Sequence, residues 1–252
     1  MRAYWTLTRR ELGGFFLSLS GYIIIAAALF LMGLSFNIIL DKLQQKPTPI
    51  SMPVTELFYI TPFFWLILLL TTPVITMRLF ALEKFTGTFE TLMTTPVSDF
   101  QVVAAKFTAA MLFYFVMWLP LLACLLVVRH YTGEVTVLDG GVVGGSFLGI
   151  LLLGGLFISL GCCASALTHS QVIAGMISLV FGASVFLLGY LASQLPAQDT
   201  WQVKVLGCFA LFEQMHDFAR GVVDTRPVVL LVSLTLFFLF LTLRVVESRR
   251  WK

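Results

Sequence analysis

Residues 142–166 read VVGGSFLGILLLGGLFISLGCCASA, and after a short turn around Thr168 to Gln171, residues 171–192 read QVIAGMISLVFGASVFLLGYLA. Neither run contains an Asp, Glu, Lys, Arg or His, and each reaches the roughly 20 residues an α-helix needs to cross the hydrocarbon core of a bilayer. Apolar residues follow one another without the apolar/polar alternation of a membrane strand, which argues for helices. Inside lipid only helices and closed barrels satisfy the backbone. The glycines of the first run, Gly145, Gly149, Gly154, Gly155 and Gly161, sit within an apolar span, where small residues let helices approach closely. Packing is therefore the reading for this stretch, ahead of a phosphate loop or a catalytic serine at Ser146.

Working outward, the same kind of run recurs at about 17 to 40, 57 to 77, 107 to 128 and 227 to 243. Six spans account for most of the 252 residues. Composition agrees: 59% of residues are hydrophobic and 12% charged, with a mean hydropathy of +0.96, against about 45–50% and about 25% in soluble domains. A water-soluble fold is excluded. The fold class is all-α integral membrane, six transmembrane helices in a single domain spanning residues 1–252.

Six spans place both termini on one side, together with Arg2, Arg9, Arg10, Arg78, Lys84, Lys106, Arg244, Arg249, Arg250 and Lys252. Lys42, Lys46, Arg129, Lys204, Arg220 and Arg226 fall on the other. The excess of basic residues assigns the terminal side to the cytoplasm, in a cytoplasmic (inner) membrane. The net charge of +3 is small and the basic residues sit in short flanks, so nucleic acid is not a partner. Cys124, Cys162 and Cys163 lie in apolar runs without metal-ligand spacing, so neither a disulfide framework nor a metal site is expected.

The N-terminal stretch is not a removable signal, because its apolar run is too long and lacks a small-x-small cleavage site. Arg9 and Arg10 in TRRELGG read as basic anchors at a membrane surface. With Trp5, Tyr4, Leu12, Phe15 and Phe16 on the opposite face, they describe a short interfacial helix in contact with lipid.

Between the second and third spans lies RLFALEKFTGTFETLMTTPVSDFQVVAAK, residues 78–106. Thr86, Gly87 and Thr88 offer a helix start, Glu90 falls in the first turn, and Pro96 ends a short helix presenting Phe89, Leu92 and Met93. Ser98 followed by Gln101 is a capping box that launches a helix into the third span. An exposed apolar edge on a short capped helix suits either a groove on a soluble partner or the lipid headgroups. In the outside segment 193–226, Phe209, Phe212, Met215, Phe218 and Val222 recur at helical spacing, giving an outer amphipathic helix before the last span. Glu213, Asp217, Arg220 and Asp224 fall on its wetter side. That helix reads either as a gate at the outer mouth or as a surface helix packing the spans, and His216 as a lone histidine.

The arginine after the second span, an acidic residue, G-T-x-E-x-L, P-V and a lysine opening the third span are here Arg78, Glu83, Gly87, Thr88, Glu90, Leu92, Pro96, Val97 and Lys106. This pattern resembles the permease subunits of ABC-2 type transporters. The stretches LTRRELGGFFLSLSGYI and FEQMHDFARGVVDTRPVV look like the subgroup containing gliding-motility and copper-enzyme-maturation permeases. The resemblance implies that Glu83 and the segment from Gly87 to Pro96 form the coupling helix that docks on a cytoplasmic ABC ATPase subunit. It also implies pairing with a second permease copy or a similar permease, and an exporter as the most fitting activity. ATP and Mg would be bound by the partner subunit, and no cofactor by this chain.

The chain itself carries no ATPase motif. A phosphate-binding loop needs G-x-x-x-x-G-K-[ST], and Lys42, Lys46, Lys84, Lys106, Lys204 and Lys252 follow Asp, Gln, Glu, Ala, Val and Trp. An ion-coupled or facilitative carrier is the rival reading, but such carriers hold ionisable residues near mid-bilayer, and the six runs contain none. Pro62, Pro73 and Pro120 are kink positions open to both readings. An intramembrane protease is the remote third, since no nucleophile has a base within a span.

Overall fold

The computed structural model describes residues 2–45, 54–88, 97–132, 140–194 and 210–250. These residues form helices throughout, with no strand among those described. In chain order the helices are α1 (Arg2–Phe16), α2 (Leu19–Gln45), α3 (Val54–Ile60), α4 (Pro62–Thr76), α5 (Ala81–Thr86), α6 (Asp99–Trp118), α7 (Pro120–Thr132), α8 (Gly140–Leu167), α9 (Gln171–Gln194), α10 (Leu211–Ala219) and α11 (Thr225–Arg250). Six segments are long and apolar enough to cross a membrane: Leu19–Asp41, Pro62–Thr86, Asp99–His130, Gly140–Leu167, Gln171–Gln194 and Thr225–Ser248.

Two of the predicted runs are broken by proline. Thr61, extended at φ −73° and ψ 140°, separates α3 from α4, and Pro62 takes the first helical position, where its missing N–H costs nothing. The corner is closed by the Thr61 hydroxyl, which donates to the Phe58 carbonyl at 2.6 Å and meets the Ser35 hydroxyl of α2 at 2.8 Å. Leu119 and Pro120 likewise divide the third span into α6 and α7. Pro73 lies inside α4.

The α8 helix is the hub. It packs against α11, α9, α4, α10 and α6, and 72% of its apolar window is buried, against 11% for α11 at the periphery. The glycines explain how one helix meets so many neighbours. A Cβ on Gly154 would lie 2.2 Å from the Tyr114 ring of α6, and one on Gly161 would lie 2.1 Å from the Thr76 hydroxyl of α4. Neither site admits a methyl group without displacing its neighbour. The sequence-based packing reading of these glycines thus acquires its partners.

The N-terminal helix docks on α6. The Tyr4 hydroxyl meets that of Thr108 at 2.8 Å, and Phe15 stacks on Phe113 with ring centroids 5.0 Å apart. Phe15 is buried, which corrects the expectation that it lies in the headgroup region, while Tyr4 is half-buried. Trp5 and Arg9 do remain exposed. Thr108 offers the Tyr4 hydroxyl a partner, and Phe113 offers Phe15 a flat ring.

Candidate functional site

Two clusters of charge stand at opposite ends of α4. One precedes it on α3 and the other follows it on α5, so they are separated by the helix's 15 residues, or ~22 Å at 1.5 Å per residue.

At the end shared with the chain termini, α4 runs into a tight corner. The backbone N–H groups of Phe80 and Ala81 open α5 and would lack acceptors there, but both donate to Ser165 Oγ of α8 at 3.1 Å. Ser165 in turn donates to the Met77 carbonyl at 3.3 Å. Lys84 Nζ donates to the Ala166 carbonyl, and Arg78 to the Ser20 hydroxyl of α2. The corner is thereby fixed to the C-terminal turn of α8 and to α2.

Around it lies a network of two cations and two anions. Lys106 Nζ of α6 is 3.1 Å from Glu11 Oε1 of α1 and 2.9 Å from Glu83 Oε1 of α5. Arg10 Nη2 is 2.7 Å from Glu11 Oε1 and 2.9 Å from Glu83 Oε1. The Lys106 side chain is only 2% exposed and also lies over the Phe80 ring, 5.4 Å from its centroid. Burial pushes the Glu11 carboxyl up, but the Lys106 charge and the hydrogen bonds from Arg10 and Lys106 outweigh it and hold the group below its ordinary 4.5. The Arg10 guanidinium is held above its ordinary value, first by its hydrogen bond to Glu11. A small cavity of about 90 Å³, lined by Glu11, Gly14, Phe15, Arg78, Leu79 and Leu82, opens beside these groups.

Among the expected coupling residues, Glu83 is thus joined to α1 and α6. Arg10 remains exposed while reaching both carboxylates. Gly87 has φ 74° and closes α5 as a left-handed C-cap, a conformation that glycine adopts without steric penalty. Thr86 is accordingly the last residue of α5, its hydroxyl returned to the Leu82 carbonyl at 3.0 Å; it does not start the following helix as the sequence suggested. The Thr88 hydroxyl lies 2.9 Å from that of Thr86. Phe89, Glu90, Leu92, Met93 and Pro96 lie outside the described residues. Ser98 caps α6 as its sequence predicts, accepting from the Gln101 N–H at 3.3 Å.

At the other end, α10 is seated against the bundle. Leu211, Met215, Phe218 and Ala219 are buried, while Glu213 and Asp217 face outward, as the amphipathic pattern requires. The buried side rests on small residues of α8. A Cβ on Gly145 would sit 2.7 Å from the Phe218 carbonyl oxygen, and one on Gly149 would sit 3.1 Å from Met215 Sδ. Phe212 is held by rings, with centroids 4.3 Å from Trp65, 5.3 Å from Phe186 and 6.0 Å from Tyr190. Phe209 lies outside the described residues.

The residue that sequence reasoning missed is Glu56 on α3. Its side chain is 1% exposed, and Arg220 grips it from two sides: Nε donates to Oε2 at 3.0 Å and Nη2 to Oε1 at 2.8 Å. His216 Nδ1 lies 3.1 Å from the same Oε1, and Thr55 donates its hydroxyl to the Ala219 carbonyl at 2.8 Å. The hydrogen bonds from Arg220 outweigh burial and hold the Glu56 carboxyl below its ordinary value. The available signal was position: Glu56 stands directly before the second apolar run, where a charge has only a terminal turn in which to find a partner.

Residues 35–245 match a family model described as ABC-2 family transporter protein. The chain belongs to that family. No curated protein matches it at a meaningful level of similarity. Among the described residues of this ABC-2 family member, no group of three His, Cys, Asp or Glu side chains has the arrangement to hold a metal ion.

Proposed function

We propose that this chain is the membrane-spanning subunit of an ABC exporter, powered by a separate cytoplasmic ATPase that docks on the segment from Glu83 to Pro96. The ATPase holds ATP and Mg, this chain carries no catalytic residue, and two permease copies, or one copy with a similar permease, enclose the path. Both termini are cytoplasmic, consistent with the distribution of basic residues, and α1 lies at the cytoplasmic surface with Trp5 and Arg9 toward lipid headgroups. The features of FEQMHDFARGVVDTRPVV remain consistent with the gliding-motility and copper-enzyme-maturation subgroup.

The observation that carries this reading is the placement of Glu83. It sits on α5, directly ahead of the expected docking helix, and is ionically tied through Lys106 and Arg10 to α6 and α1. Ser165 and Ala166 bind the same corner to α8. A push on α5 is therefore delivered to the interfacial helix, the third span and the hub together. Buried ionisable groups that lie at span ends and are paired fit coupling through a partner better than proton coupling at mid-bilayer.

The test is Glu90→Lys in the chain co-expressed with its ATPase. Co-purification of the ATPase should fall at least about tenfold, the loss expected when a like charge or an unpaired ion is forced on an interface. Membrane insertion and thermal midpoint should stay at the parental values. Undiminished co-purification, or no ATPase partner at all, would reject the coupling assignment and favour the carrier reading.

A further inference from the structure

We propose that Glu56, His216 and Arg220 form a latch that keeps α10 seated in the mouth of the bundle, and that α10 leaves its seat only when this cluster parts. The inference rests on the permease reading for its purpose, but on geometry alone for its existence.

Three features make α10 a removable part. First, it is nine residues long, far short of a span, so neither lipid nor its own length holds it in place. Second, where α10 lies over α8 the surface carries little side-chain bulk. Gly145 and Gly149 of α8 bring it close, and at Gly221, φ 78°, where the chain turns away, a Cβ would sit 3.2 Å from Val142 Cα. On this side the helix fits closely without interlocking, and its interlocking contact is Phe212 among the Trp65, Phe186 and Tyr190 rings. Third, its polar ties to α3 are concentrated at its C-terminal half, at His216, Ala219 and Arg220.

The electrostatics suit a switch. Glu56 is fully enclosed on α3, while the side chains of Arg220 and His216 are 51% and 35% exposed. When the cluster parts, the two α10 groups pass readily into water, and the space vacated by α10 admits water to Glu56. Ion pairing in a buried site is opposed by desolvation, and here the hydrogen bonds from Arg220 outweigh it. The closed arrangement is therefore specified sharply in geometry, while desolvation makes its net stabilisation smaller than the pairing itself and keeps an open state within reach. An apolar contact of equal area would lack that geometric specificity.

The experiment reads α10 directly and needs neither substrate nor ATPase. In a variant with Cys124, Cys162, Cys163 and Cys208 replaced, a cysteine is placed at Met215, which is buried against Gly149, and its reaction with a membrane-impermeant maleimide is timed in right-side-out and inverted vesicles. A control cysteine at Ala81, buried at the opposite end, reports whether the fold is intact. Glu56→Gln or Arg220→Gln should accelerate labelling at 215 by about tenfold or more and leave 81 protected. The exchanged pair, Glu56→Arg with Arg220→Glu, should restore protection at 215 to within about threefold of the parent. Parental labelling rates in the single variants would overturn the latch. So would single variants that expose both positions without rescue by the exchanged pair, since the cluster would then be a general support of the fold. Acceleration confined to inverted vesicles would uphold the latch and reject the assigned orientation, so the two readings fail separately.

Discussion

Lys106→Met tests the Lys106 network most sharply. The ammonium is 2% exposed and within 3.1 Å of both Glu11 and Glu83. Its removal leaves two carboxylates sharing Arg10, whose side chain is 53% exposed. Taking one partner from a fully buried ion pair costs about 3–5 kcal/mol. The carboxylates keep 15% and 16% exposure and border a small cavity, so part of that cost is relieved by hydration, leaving about 2–3 kcal/mol. For a chain of this size each kcal/mol moves the thermal midpoint by about 2–4 °C, giving an expected fall of about 4–12 °C. Tryptophan fluorescence of the purified protein in lipid nanodiscs provides the assay. Adding Glu83→Gln to Lys106→Met should recover about half of the loss, because the two sites are in direct contact and their effects are not additive. A fall below about 2 °C would place the network with exposed surface pairs, worth about 0–1 kcal/mol, and would remove it as a transmitter of force.

Two further outcomes follow from the packing and the charges. Gly161→Ala places a methyl group 2.1 Å from the Thr76 hydroxyl and 2.6 Å from its Cβ; separating α4 from α8 should cost about 1–3 kcal/mol, read as a lowered thermal midpoint, and an unchanged midpoint would show that this contact yields freely. Acid should release both clusters: the Glu11 and Glu56 carboxyls are held below their ordinary 4.5 in the folded chain, so their stabilisation is complete above that value and is lost as pH falls through the lowered ones. The midpoint should hold steady from about pH 8 to about pH 5 and fall below about pH 4; a steep loss already near pH 6 would contradict the carboxylate assignment.

What could be read from the sequence depended on range. The six spans were legible because each is a single run of apolar residues, and lipid leaves the backbone few alternatives. The Ser98 cap was legible because donor and acceptor lie three residues apart. The glycines of 142–166 declared close packing but not against what, since Tyr114, Thr76 and Phe218 are brought to them by the fold. Lys106 looked like a topology marker because a lysine at a span edge ordinarily reaches water. Its burial requires Glu11 and Glu83, contributed by two other helices. Glu56 and Arg220 lie 164 positions apart, and one sequence contains nothing that joins such a pair. Local and periodic signals were visible, whereas charge pairing between helices was not.

The α4 helix gives the two clusters a physical connection. At one end it continues into the corner held by Ser165 and on to Glu83; at the other it begins at Pro62, immediately after α3 with Glu56. Along its length it is largely buried, and at Gly161 it meets α8 without room for a methyl group. A close-packed helix of this kind does not absorb a displacement by bending at each residue. On the proposed reading, a push on α5 arrives at α3 as a tilt of α4, whereas α10 rests on α8. The partners of the outer ion cluster sit on different helices: Glu56 on α3, which leads into α4, and His216 on α10 with Arg220 at its C-terminal cap. On that reading, a shift of α3 against α10 is what would part them.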